Sequence, residues 1–235
     1  MEKKSKVSSI LRIGGLSIVV VAIVAAIAVS MNNKPTVAER IWYDEMTLGE
    51  KDAENYFVIY SDIACPYCIA FENALVEHHD ELMKYLAANN ILLEVRLSDF
   101  LYEFGESNPI ESRYGAVATY CAKDRGKFWD YYNLAVTKVW NEYFKDAGKA
   151  AFTEFNKLGT DYWVEIGEKV GLSDDFARCV ENGETLDVVK ADAKKMSRLA
   201  SGMPYFKFND YVLSGFDLSW GWEYVKMYFD AGLKS

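Results

Sequence analysis

The chain has 235 residues, of which 51% are hydrophobic and 15% aromatic, enough for one domain with a sizeable core or one domain carrying a large insertion. A net charge of −9 argues against nucleic acid as a partner, because phosphate neutralisation needs an excess of clustered Lys and Arg. The first 31 residues carry +3 and the remainder −12, and the acidity of that remainder reads as solubility rather than recognition.

The chain opens on a basic tail, residues 1–12, with Lys3, Lys4, Lys6 and Arg12. It is followed by "IGGLSIVVVAIVAAIAVS", residues 13–30, which holds no charge. About 18 apolar residues is near the lower limit for a bilayer-spanning helix, and it exceeds the usual core of a signal peptide. Basic residues before the apolar run place the N-terminus in the cytoplasm and the rest of the chain outside. The reading is a single-pass membrane anchor over 13–31. A cleaved signal peptide, with Ala28-Val29-Ser30 as the processing site, is the alternative, and both export the body of the chain. Residues 32–50, polar at first and containing Pro35, read as a tether leading into a domain over 51–235.

Within that domain "NYFVIYSD", residues 55–62, predicts a buried strand, and residues 91–100 predict a second. Between them a helix is predicted from Pro66 to about Ala88, with Cys68, Phe71, Leu75, Leu82 and Leu86 on one apolar stripe and Asn73 on the opposite face. Helical signals dominate from Pro109 to about Ala200, including Asn108-Pro109 and Ser173 followed by two Asp as helix starts. "YFKF" and "YVLSG" flank Asn209-Asp210 as a hairpin, and a last helix covers about Leu218 to Ala231. The order is strand, helix, strand, a block of helices, hairpin, helix, an α/β class.

Four cysteines in an exported chain bring redox chemistry into view. Cys65 and Cys68 frame Pro66 and Tyr67, directly after a strand and at the start of a helix. At that position unpaired N–H groups and the helix dipole favour negative charge, the setting that holds a cysteine as thiolate. Pro66 suits a first helical turn, since its missing N–H needs no partner there. Cys68 falls on the apolar stripe and Cys65 at its edge, so Cys65 is assigned as the exposed attacking thiol and Cys68 as the buried resolving thiol. A structural zinc site uses the same spacing but needs two further ligands. Cys121 and Cys179 form no second such pair, and the adjacent His78 and His79 point apart. Those histidines read as edge-of-core residues, with Asp62 a weaker candidate for a functional neighbour of the pair. Cys121 and Cys179 lie in apolar-periodic helices, either as two buried thiols or as a disulfide tying the helix block together.

Taken together, "LGEKDAENYFVIYSDIACPYC", "CAKDRGKFWDYY", "FARCVENG" and "SGMPYFKFNDYVLSG" resemble the DsbA-like thiol–disulfide oxidoreductases of the thioredoxin superfamily, in order and spacing, over nearly everything after the tether. The resemblance implies a thioredoxin fold with a large helical insertion, about 108–200, between the strand-helix-strand half and the C-terminal hairpin-helix half. It implies that Pro204 is a cis-proline beside Cys65 and Cys68, and that Pro66, Tyr67, Met203 and Pro204 contact substrate. It further implies a monomer that needs no cofactor, acts on reduced unfolded exported proteins and is reoxidised by a quinone-linked membrane partner of the DsbB or VKOR type. The chain departs from the family in having Met203 where Thr or Val is common, and Pro-Tyr where the strongest oxidants have Pro-His. The expected function is therefore an extracytoplasmic disulfide oxidase. A reductase or isomerase using the same residues is one alternative, and an anchored binding module with a metal-bound or vestigial cysteine pair is another.

Overall fold

The computed structural model describes residues 37–104, 111–146, 150–200, 202–213 and 221–234. The chain divides into two units, Met1–Arg40 and Ile41–Ser235. In the first, only helix α1 (Val37–Arg40) is described, so the anchor read over 13–31 lies outside the described residues. Among the described residues no helix is long and apolar enough to cross a membrane.

The second unit is built on a five-stranded sheet of β1 (Thr47–Leu48), β2 (Asn55–Asp62), β3 (Ile91–Ser98), β4 (Tyr205–Phe208) and β5 (Tyr211–Leu213). The strand order is β1-β3-β2-β4-β5. β2 and β3 are parallel, with Asn55 opposite Ile91 and Asp62 opposite Ser98. The other pairings are antiparallel. All of β3, and all of β2 after Asn55, is buried, as expected of parallel strands covered on both faces.

The β2–β3 crossover is helical but not continuous. α2 (Pro66–Glu77) ends at His78, whose φ of −114° and ψ of 37° leave the helical region, and α3 (His79–Ala88) begins again at once. No Gly or Pro marks this break. It is made by packing, with the His78 ring stacked on Trp222 at 5.9 Å. The one-sided stripe predicted for this segment also differs from the structure. Every residue of α2 from Cys68 to Leu75, Glu72 and Asn73 included, is buried, because α2 lies against the sheet, the insertion and the C-terminal helix together.

The insertion between β3 and β4 comprises α4 (Phe100–Glu103), α5 (Arg113–Lys123), α6 (Phe128–Val139) with a π-helical turn over Trp140–Phe144, α7 (Ala150–Phe155), α8 (Thr160–Lys169), α9 (Asp174–Glu181) and α10 (Leu186–Met196). It is tied to the sheet through Tyr120, whose hydroxyl lies 3.0 Å from the Leu97 carbonyl and 2.6 Å from Asp192. The Tyr43 hydroxyl donates to the same Asp192 carboxylate at 2.6 Å. A disulfide joins Cys121 in α5 to Cys179 in α9, with Cα atoms 6.0 Å apart.

The hairpin turns through Asn209 and Asp210. Asn209 adopts a φ of +51°, a conformation Asn tolerates better than most residues. Its side chain accepts from the Tyr56 N–H at 2.9 Å and its own N–H donates to the Tyr56 carbonyl at 2.7 Å, locking the turn onto β2. α11 (Trp222–Leu233) closes the sheet, its Val225 and Phe229 buried beside Phe57 and Phe208.

Candidate active site

β2 runs out at Asp62 in the middle of the sheet, and α2 starts four residues later. The link is held tightly, with the Cys65 N–H on the Asp62 carbonyl at 3.0 Å and the Ala64 N–H on the Asp62 carboxylate at 2.8 Å. Cys65 takes the N-cap position with extended backbone, and Pro66 occupies the first helical position. The Cys65 sulfur accepts from the Cys68 N–H at 3.3 Å, as an N-cap side chain does. Cys65 and Cys68 are both free thiols here.

Antiparallel pairing of β4 with β2 puts Tyr205 opposite Tyr60, so the residues just before β4 lie alongside the turn into α2. The Met203–Pro204 bond is cis, and the Cys65 thiol donates to the Met203 carbonyl at 3.5 Å. The structure thus brings Cys65, Cys68 and Pro66 together with Met203 and Pro204, while Tyr67 stands 41% exposed on the surface above them. Cys65 is more covered than the sequence reading expects, at 3% exposure against 0% for Cys68, because the segment before β4 lies over it.

Burial pushes the Cys68 thiol well up, and the neighbouring Cys65 and Glu72 add to this, while the Asp62 N–H opposes it. Two buried carboxyls flank the pair. Burial raises Asp62 to about 7, against hydrogen bonds from the N–H groups of Leu101 and Ala64 and from Ser112. Burial likewise raises Glu72 to about 7. Asp62 is a clamp, since Leu101 opens the insertion and Ser112 precedes α5. Gly115 lets α5 come this close, as a Cβ there would meet Ile63 at 2.7 Å and Trp163 at 2.8 Å.

Glu72, Ser61 and Tyr132 were not singled out by the sequence. Ser61 and Tyr132 hydrogen-bond to the Glu72 carboxyl and oppose its rise. The available signal was a carboxylate four residues after Cys68 in a helix, the spacing that stacks side chains on one face. The histidines lie elsewhere, His78 against Trp222 and His79 exposed at the start of α3. Cys121 and Cys179 belong to the insertion. Among the described residues no group of three or more His, Cys, Asp or Glu stands together as a metal site would require.

Solved structures share this arrangement of sheet and insertion. MdbA, a thiol-disulfide oxidoreductase from Corynebacterium diphtheriae, is similar with a TM-score of 0.56 at 16% identity, over 79% of this chain and 88% of that one. BdbD from Bacillus subtilis, in its oxidised form, has a TM-score of 0.53 at 17% identity, over 81% and 93%. The reduced form of DsbG from Mycobacterium tuberculosis has a TM-score of 0.54 at 16% identity, over 82% and 91%. No curated protein matches the chain. A family model described as thioredoxin matches residues 43–215, which takes in every strand and both free cysteines, and the chain belongs to that family.

Proposed function

We propose that this protein is an extracytoplasmic thiol–disulfide oxidoreductase that works as a disulfide oxidase on exported proteins. The observation that carries the reading is the placement of Cys65 at the N-cap of α2, its sulfur beside both the Cys68 N–H and the Met203 carbonyl. Membership in the thioredoxin family and the likeness to proteins named as thiol-disulfide oxidoreductases support the same chemistry.

In the oxidised protein a substrate thiolate attacks the Cys65 sulfur, the Cys65–Cys68 bond breaks, and Cys68 leaves with the electron pair and takes a proton. The substrate's second thiolate then attacks the substrate sulfur of the mixed disulfide and expels Cys65 as a thiolate. Two electrons pass from substrate to protein, and a quinone-linked membrane partner takes them on. Cys65 is the better final leaving group of the two because its sulfur already accepts an N–H. The exposed Tyr67 and the half-buried Met203 offer an apolar rim for unfolded substrate. The basic tail and the uncharged run over 13–31 support anchoring at the membrane with the domain outside.

Oxidase and reductase differ only in potential. Titration of Cys65 and Cys68 in glutathione buffers, paired with oxidative refolding of a reduced substrate, separates them. A pair more reducing than the glutathione couple, with no gain in refolding yield, overturns the oxidase reading. Iodoacetamide reacting no faster with Cys65 than with an ordinary thiol overturns the enzyme reading in favour of a binding module.

A further inference from the structure

We propose that Arg96 is a positioning residue for thiol exchange. Acting through Tyr60 and Tyr205, it holds the Met203 carbonyl over Cys65 and so sets how readily that sulfur is reached. This rests on the thiol–disulfide chemistry proposed above and holds for either direction of electron flow.

Arg96 stands opposite Tyr60 in the parallel β2–β3 pair, on the face of the sheet away from α11, and is only 4% exposed. Its planar fork directs donors to three neighbours. Nη1 donates to the Tyr60 hydroxyl at 2.9 Å and Nη2 to the Tyr56 hydroxyl at 2.6 Å. Nε and Nη2 donate to Glu94 Oε2 at 3.2 and 3.1 Å. The half-buried Trp42 ring lies over the guanidinium at 3.8 Å, and the N–H groups of Trp42 and Tyr43 donate to Glu94 Oε1 at 2.8 and 3.1 Å. A buried ion pair is a weak source of stability, and apolar residues of similar shape often serve as well. What the guanidinium adds is direction, because its rigid fork fixes several partners at once.

The cluster reaches Cys65 through β4. Tyr60 faces Tyr205 in the antiparallel β2–β4 pair, and their rings meet edge to face with centroids 5.3 Å apart. Tyr205 follows Met203 by two residues, and the Met203 carbonyl lies 3.5 Å from the Cys65 sulfur. The other side of Met203 is fastened to the same cluster. From α10, Asp192 accepts from the Tyr43 hydroxyl at 2.6 Å, and the Lys195 ammonium lies 4.7 Å from the centre of the Trp42 ring. Both elements that flank Met203, α10 and β4, are thus tied to Arg96 and its partners.

Cys65 is 3% exposed beneath this segment, so its sulfur has to be uncovered before it can attack or be attacked. The firmness with which Tyr205 is held decides how often that happens.

The test is alkylation of Cys65 by iodoacetamide in the reduced full-length protein, followed by mass spectrometry across a range of pH. The rate reached at high pH, where the thiolate fraction no longer changes, reads access alone. Tyr205→Ala should raise that rate about tenfold, the size an edge-to-face ring pair supports, and Tyr205→Phe should keep the wild-type value. Tyr60→Phe keeps the ring but drops the hydroxyl that Arg96 holds, and Arg96→Lys keeps the charge but drops the fork. Each should raise the rate severalfold. Tyr60→Phe added to Tyr205→Ala should raise it no further, because the two act in series. Cys68, fully buried, should stay unmodified in every variant. A wild-type rate in Tyr205→Ala overturns the route through β4, and a wild-type rate in both Tyr60→Phe and Arg96→Lys overturns the role of Arg96. Cys68 alkylated alongside Cys65 reports general loosening of the fold and overturns the positioning reading. Wild-type protein that releases no thionitrobenzoate from the aromatic disulfide DTNB overturns the thiol–disulfide reading, and this inference with it.

Discussion

Removing the Cys121–Cys179 disulfide should destabilise the protein by about 4 kcal/mol, the entropy of closing a loop over the 58-residue separation at 25 °C. That loop spans α6 through α8 with the end of α5 and most of α9, so the bond constrains the middle of the insertion in the unfolded chain. Against a typical domain stability of about 5–15 kcal/mol the loss is large. The two sulfurs are almost fully buried, so Cys121→Ala/Cys179→Ala also forfeits packing, and the entropic figure is not offset by relief at the surface. The assay is urea unfolding followed by tryptophan fluorescence, with six Trp as reporters. Both proteins carry Cys65→Ser and Cys68→Ser, so that only one disulfide differs. The midpoint should fall and the m-value should rise, because an uncrosslinked unfolded chain exposes more surface. A loss under about 1 kcal/mol with an unchanged m-value would refute the argument that this bond acts on the unfolded chain.

Gly167→Ala should destabilise by about 1–3 kcal/mol despite the better helix propensity of Ala, since its Cβ would fall 2.1 Å from the buried Phe176 ring; a thermal melt at or above wild type would contradict this. Arg96→Met should cost about 3–5 kcal/mol, because it strands the fully buried Glu94, and Glu94→Gln in the same chain should recover part of the loss. Chemical denaturation of the single and double variants reads this directly. Burial raises Asp62 to about 7, above its unfolded value near 4, so the fold binds this proton more tightly than the unfolded chain does. The stability so gained is complete below about pH 4 and is lost as pH rises through 7. Urea midpoints measured from pH 5 to 8 should fall with pH, and Asp62→Asn should lessen that slope without abolishing it, because burial raises Glu72 to about 7 and Asp99 to about 6 as well.

Much of the fold was legible because its signals are local. β2 was read at its observed bounds, β3 to within two residues, and the hairpin about Asn209-Asp210 at its turn, since β-branched and aromatic runs bounded by polar residues need no distant information. β1 has two residues and no pattern of its own, and exists only because β3 offers it an edge. The break at His78 was invisible for the same reason, as it depends on a tryptophan far along the chain.

The site divides in the same way. Cys65, Pro66 and Cys68 announce themselves by spacing and by their place between a strand and a helix, because helix ends and thiol chemistry are local properties. What only the tertiary structure decided is what surrounds them. Pairing of β4 with β2 sets the Met203 carbonyl at Cys65, and the insertion folds back so that Ser112 and Leu101 engage Asp62. Read by periodicity α2 has a wet face that holds Asn73, while Glu72, one turn beyond Cys68, lies on the side of the apolar stripe. In the fold both sides are covered, so that Asn73 and Glu72 alike are buried. Burial is a property of packing between elements distant in sequence, and it turns a carboxyl that would be charged in water into one that holds its proton up to about pH 7.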